Sequence, residues 1–179
     1  MVTDGQEADL ARQGIDRGGV RVCDPPSGCV DCLAASALAT ELTGEQLRTL
    51  FGAMEVRKLS KNEILISEGD CDDRLYAVAR GELEVYRAGA HGQDVLIRVG
   101  PGSIIGELAF LDGLRRTATV KAVNDECCVI ALRRQHLESM LSTNPSVVYN
   151  VMRAIVRSAH GTVGKMDTVY TDLMHYISG

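Results

Sequence analysis

Between Gly102 and Val120 the chain reads GSIIGELAFLDGLRRTATV, which brings a glycine, an acid, a short apolar turn and an arginine pair into one stretch. A helix starting near Gly106 would aim free backbone N–H groups at a single spot, a geometry suited to an anion. Gly106 has no side chain to hold a ligand away from that backbone. Arg116 would offer the same anion a guanidinium fork with two charge-assisted hydrogen bonds. Glu107 has the wrong charge for a phosphate but suits a hydroxyl donor such as that of a ribose. Together these residues describe a pocket for a sugar phosphate. The plainer alternative is that Glu107 and Arg116 pair with each other on a loop.

The surrounding sequence predicts a mainly β frame for this segment. From Glu55 to Leu132 apolar residues recur with a period of two: Ile64 and Ile66, then Leu75 to Tyr86, Val95 to Val99, and Val120 to Ala131. In GELEVYR, Leu83 and Val85 face one way and Glu82 and Glu84 the other. The turns EGDCDD, RAGAHGQD and GPGS separate the runs. Strands spaced like this predict a jelly-roll β-barrel with flanking helices, an α+β fold that is mainly β. Residues 105–116 interrupt it without strand character, and such a break in a β domain points to function.

Helices are expected on both sides. Thr43 and Gln46 form a capping box, with Leu47, Leu50, Phe51 and Met54 following at helical spacing. LAASALA predicts a helix from about Leu33. Asn144 and Pro145 mark a helix start. Beyond them Met152, Ala159, Met166 and Leu173 occupy one heptad position, and Ile155, Thr162, Val169 and Tyr176 the other. That seam predicts a long C-terminal helix that dimerises, although Gly161 and Gly164 weaken it. The domain reading is a partly disordered tail over 1–40, the β-barrel over 41–143 and the C-terminal dimerisation helix over 144–179.

Composition narrows the function. The chain has 179 residues, 45% of them hydrophobic, and a net charge of -5. A net negative chain is a poor match for broad contact with nucleic-acid backbone. No apolar run is long enough to span a bilayer, and no secretory signal precedes the domain. The six cysteines are therefore read as reduced thiols in a cytoplasmic protein. The four histidines are scattered, and no nucleophilic triad, P-loop or zinc-protease motif occurs. The reading is of a non-enzymatic chain without a metal site.

IGELAFLDGLRRTATVKA resembles the phosphate-binding cassette of the cyclic nucleotide-binding family, which includes bacterial catabolite activator proteins, cyclic-nucleotide-dependent kinases and cyclic-nucleotide-gated channels. LSKNEILISEGDCDDRLYAVARGELEVYR is similar to the family's opening strands, and CVIALRRQHLESMLSTNP to its approach to the C-terminal helix. The resemblance covers about residues 45–165. It implies backbone contacts from Gly106 and Leu108, Glu107 on the ribose 2′-hydroxyl and Arg116 on the cyclic phosphate. It further implies a Thr117 hydroxyl on the phosphate, similar to threonines that accept guanine in the syn form, and Thr162 against adenine. These two cues point to different bases; the ligand is cyclic AMP or cyclic GMP, and the reading favours cyclic AMP. Arg115 stands where many members have proline, Asn62 replaces a common turn glycine, and Arg98 lies on a strand that lines the pocket in relatives. The expected role is a sensor module that signals through its C-terminal helix to a dimer mate or another protein, without DNA or membrane binding. Cys23, Cys29 and Cys32 support a second reading. With a fourth thiolate from Cys127 or Cys128 they would ligate an iron–sulfur cluster or zinc, as the N-terminal cysteines of fumarate–nitrate-reductase-type regulators do, although their spacing is reversed here.

Overall fold

The computed structural model describes residues 29–89 and 92–160. Helix α1 spans Cys29–Ala34, and a 3-10 turn follows over Ala37–Glu41. Helix α2 spans Gly44–Phe51. Eight strands follow: β1 Met54–Leu59, β2 Ile64–Ile66, β3 Arg74–Arg80, β4 Leu83–Gly89, β5 Gly92–Val99, β6 Ile104–Ile105, β7 Thr119–Ala122 and β8 Cys127–Arg133. Helix α3, Glu107–Asp112, lies between β6 and β7. Helix α4, Arg134–Ser139, follows β8, and residues 145–160 form helix α5.

The strands make two four-stranded sheets, β1-β8-β3-β6 and β2-β7-β4-β5, in jelly-roll order. The pairings are antiparallel, as in Tyr76↔Ala131 and Val85↔Val120. The roll is therefore a double sheet and not the closed barrel that the strand spacing predicts. The edge strands β6 and β2 have only two and three residues, too few to zip the sheets together.

Burial explains the apolar runs. On β3, Tyr76 and Val78 face the second sheet, whereas Leu75, Ala77 and Ala79 face a layer of helices. On β8, Val129 and Ala131 face inward and Ile130 and Leu132 face the helices. These strands are buried on both faces and so read as nearly continuous apolar segments. The sequence runs 75–86 and 120–131 each break into two strands. Gly81 (φ +82°) turns the first, and Glu126 (φ +61°) lies in the turn of the second.

Leu33 and Leu38, which precede residue 41, are completely buried in the core. Ser36 ends the helical run expected from Leu33: its hydroxyl bonds the Leu33 carbonyl at 2.6 Å, and the chain re-enters as the 3-10 turn. The capping box is present, with Thr43 Oγ1 accepting from the Gln46 amide and Gln46 Oε1 from the Thr43 amide. Met54 opens β1 and does not extend α2. Asn62 adopts the left-handed conformation (φ +65°) of the turn glycine it replaces. Gly102 (φ +88°) joins two layers: its carbonyl accepts from the Ala37 amide at 2.8 Å, and its amide donates to the Val78 carbonyl at 2.9 Å.

Helix α5 corrects the heptad reading. Ile155 is fully buried in its own domain's core with Val147, Val148, Val151 and Ala154, so that this position of the seam is not available to a partner. The exposed apolar stripe is Tyr149, Met152 and Val156, at i, i+3 and i+7. Residues of the seam from Thr162 onward lie outside the described residues. Ile155→Ala should lose about 2–5 kcal/mol of stability in urea unfolding, and Met152→Ala less than about 0.5 kcal/mol. Equal losses would contradict this orientation of the helix.

Candidate functional site

The centre of the site is a buried charge. Arg116 leaves α3's connection to β7 and turns its side chain into the domain, where only 2% of it is exposed. Its Nη1 donates to the Gly106 carbonyl at 2.8 Å. Its Nη2 donates to Asp72 Oδ2 at 2.9 Å and to the Arg74 carbonyl. Gly106 makes this possible. It sits at φ +80°, and a Cβ there would stand 2.3 Å from Arg116 Nη1. Any larger residue would strain the backbone and push the guanidinium out of place.

Below the guanidinium lies a polar floor. The Tyr76 hydroxyl donates to Asp72 Oδ2 at 2.9 Å, and Arg57 Nη1 donates to the Tyr76 oxygen at 3.2 Å. Arg74 Nη1 reaches Asp72 Oδ1 at 3.3 Å. The Tyr76 ring lies 6.0 Å from the Arg116 guanidinium carbon and 5.8 Å from that of Arg57. Burial works to raise the Asp72 carboxyl. The Arg116 charge, the hydrogen bonds from Tyr76 and Arg116, and the charge of Arg74 outweigh it and hold the group below its ordinary value. Burial first, then the Asp72 charge, pushes the Tyr76 phenol up to about 12, so it remains a donor at neutral pH.

Above this floor opens a cavity of about 250 Å³. Gly106, Glu107, Leu108, Arg116 and Thr117 all line it. The first-turn amides of α3 have no helical acceptor, and their residues form the cavity edge. Val85, Leu96, Ile97 and Val99 make an apolar wall on β4 and β5. Leu96 is the extra residue of a bulge, since Val85 pairs with Ile97 and Tyr86 with Val95. Arg87 closes that wall, its Nε donating to the Thr117 carbonyl at 2.6 Å.

The expected cassette residues therefore come together, with the exception of Thr162, which lies outside the described residues. The pairing of Glu107 with Arg116 does not form: Arg116 takes Asp72, and Glu107 makes no hydrogen bond or ion pair among the described residues. Arg98 points away from the cavity and pairs with Glu84 at 2.9 Å. Arg115 holds the turn before Arg116 by donating to the Gly69 carbonyl at 2.7 Å, a tether where a proline would have fixed the chain. Asp72, Tyr76 and Arg87 were not foreseen. Asp72 looked like one polar residue of the EGDCDD turn, but Arg87 carried a legible signal: it follows Leu83 and Val85 on the inward side of β4.

Of the cysteine trio, Cys23 and the side chain of Cys29 lie outside the described residues, and Cys32 packs against the helical side of the core. The Cys127 sulfur lies within hydrogen-bond reach of Asn124 Oδ1 at 2.9 Å and of the Asn124 and Glu82 carbonyls at 3.2 and 3.3 Å. Among the described residues no three potential ligands cluster for a metal, and no helix is long and apolar enough to cross a membrane.

The run of strands in this jelly roll is broken by a short helix and a buried arginine that together border one cavity. A family model described as the cyclic nucleotide-binding domain matches residues 56–144. The N-terminal domain of a transcriptional regulator from Streptomyces coelicolor A3(2) superposes with a TM-score of 0.65 at 34% identity, over 76% of this chain and 95% of that one. The regulatory domain of Toxoplasma gondii PKA, in a co-crystal with cAMP, gives a TM-score of 0.57 at 34% identity, over 63% of this chain and 43% of that one. The Caenorhabditis elegans cGMP-dependent protein kinase egl-4 is 36% identical over 95 residues, which is 53% of this chain but 12% of the kinase. The chain belongs to the cyclic nucleotide-binding domain family. Its relatives include both a cAMP complex and a cGMP-dependent enzyme.

Asp72 contributes stability that is present above its unfolded pKa, roughly 3.9, and is lost as pH falls through its lower folded value. Asp72→Asn should therefore cost about 1–3 kcal/mol at pH 7, with the gap to wild type narrowing below about pH 4. Urea unfolding across pH checks this, and a gap independent of pH would remove Asp72 from the Arg116 pair.

Proposed function

We propose that this chain is a regulatory, non-catalytic module that binds a 3′,5′-cyclic mononucleotide, cyclic AMP or cyclic GMP, between α3, Arg116 and the β4–β5 wall. The observation that carries the reading is the donor count of Arg116. Of the five N–H groups of a guanidinium, three are taken by Gly106, Asp72 and Arg74, while the buried Nε has no partner and one Nη1 hydrogen remains. Two donors held rigidly at the edge of a cavity suit a singly charged cyclic phosphate. The α3 amides of Glu107 and Leu108 add dipolar attraction, and the Glu107 carboxylate accepts from a ribose hydroxyl. Thr117 supplies a hydroxyl on the same rim, and the apolar wall covers a face of the base.

Phosphate capture at this preformed cradle draws helix α5 toward the base, shifting a two-state equilibrium. The exposed stripe Tyr149, Met152 and Val156 then presents the changed state to a second copy of the chain in the cytoplasm. Calorimetric titration tests the binding step. Arg116→Ala should weaken a cyclic nucleotide at least about 100-fold, since it removes a charge-assisted fork worth roughly 3 kcal/mol. Glu107→Gln should weaken it less than Arg116→Ala. Unchanged affinity in Arg116→Ala would overturn the site. Light scattering on Val156→Glu tests the dimer, whose expected outcome is a monomer of normal thermal stability; an unaltered oligomeric state would exclude this stripe.

A further inference from the structure

We infer that Arg87 reads the base and biases the pocket toward guanine over adenine, an inference that rests on the cyclic-nucleotide reading above. An arginine is out of place on the inward face of β4, where the two preceding positions are Leu83, fully buried, and Val85, part of the cavity wall. Arg87 lines the cavity at its solvent-exposed rim. Asp94 faces Arg87 across the β4–β5 pair and Glu68 accepts from the Ala88 amide at 3.3 Å, yet neither makes an ion pair with Arg87 among the described residues. The Arg87 Nε is committed to the Thr117 carbonyl, which fixes the plane of the guanidinium. Its two terminal NH2 groups make no hydrogen bond among the described residues.

The cavity offers four polar side chains: Arg87, Glu107, Arg116 and Thr117. Arg116 and Glu107 are assigned to the phosphate and the ribose. That leaves Arg87 and Thr117 to face a base whose other surroundings are Val85, Leu96, Ile97 and Val99. A guanidinium fork has donors only. Guanine presents two adjacent acceptors, O6 and N7, and pairs with such a fork in two hydrogen bonds. Adenine presents N7 beside an N6 amino group, so one arm of the fork meets a second donor. The chemistry selects a 6-oxopurine, against the adenine cue drawn from Thr162 in the sequence.

The experiment is calorimetric titration of the whole chain with cyclic GMP, cyclic IMP and cyclic AMP, using wild type, Arg87→Leu and Arg87→Lys. Cyclic IMP keeps O6 and N7 but lacks the 2-amino group. In wild type, cyclic GMP and cyclic IMP should both bind about tenfold or more tighter than cyclic AMP. Arg87→Leu should collapse that ratio toward one. Arg87→Lys, which keeps the charge and loses the fork, should also collapse it. A ratio preserved in Arg87→Lys and lost in Arg87→Leu would mean that charge and not the fork reads the base, and equal losses for all three ligands would make Arg87 a contact to the shared phosphate; either result overturns the inference. Cyclic IMP behaving like cyclic AMP would move the reading from O6 and N7 to the 2-amino group and overturn it as well. Failure of all three ligands to bind wild type would instead sink the cyclic-nucleotide reading itself.

Discussion

The site depends on keeping one guanidinium charged inside the protein. A buried cation without partners is too costly to persist, so the fold has to bring acceptors to Arg116. It does so from two pieces of chain: the Gly106 carbonyl before α3, and the stretch entering β3, which supplies the Asp72 carboxylate and the Arg74 carbonyl. Backbone bonds fasten the same pieces together. The Gly69 amide donates to the Arg116 carbonyl at 2.8 Å, and the Arg116 amide to the Asp70 carbonyl at 2.9 Å. The cassette is thus not a flap hung on the sheet edge. It is joined to the 69–74 segment by both main chain and side chain.

Strand β3 is central to this arrangement because it serves two cores at once. Its odd-numbered residues pack on the helices and its even-numbered ones against the second sheet. Tyr76 belongs to the second set, and its hydroxyl end meets Asp72 while its ring stays buried at 1% exposure. A rigid, doubly packed strand can hold a polar network in place, because its residues have little freedom to repack around a change. Arg57, Arg74, Arg116 and Arg133 gather about Asp72 and Glu55, which leaves the region net positive beneath a chain whose overall charge is -5. A compact cluster of that kind suits one small anion and not a polyanion.

Much of this was legible in the residues. The two-residue period located the strands, the capping box started α2, and the GEL and RR elements contain residues that border one cavity, where a glycine at positive φ lets the guanidinium approach the backbone. What escaped has physical reasons. Periodicity fails on strands buried on both faces, so β3 and β4 merged into one run, as did β7 and β8. Charge pairing depends on three-dimensional reach, so Asp72, 44 residues before Arg116, could not be picked from its neighbours Asp70 and Asp73. The heptad on α5 was real as a pattern, but a helix can bury an apolar stripe in its own domain as readily as in a partner, and Ile155 went inward.

Gly102 shows how closely the parts are geared. One residue ties β3 on one side, through its amide to Val78, and the 3-10 turn on the other, through its carbonyl, which accepts from Ala37. A methyl group there would sit 3.0 Å from the Ala35 carbonyl oxygen, so the elbow between α1 and the 3-10 turn rests directly on the loop that leads into β6 and the cradle. The N-terminal helices and the cassette strand therefore share a single axle. Neither can shift by more than the slack in a hydrogen bond without dragging the other, so the layer that precedes the β-roll in the sequence belongs mechanically to the site.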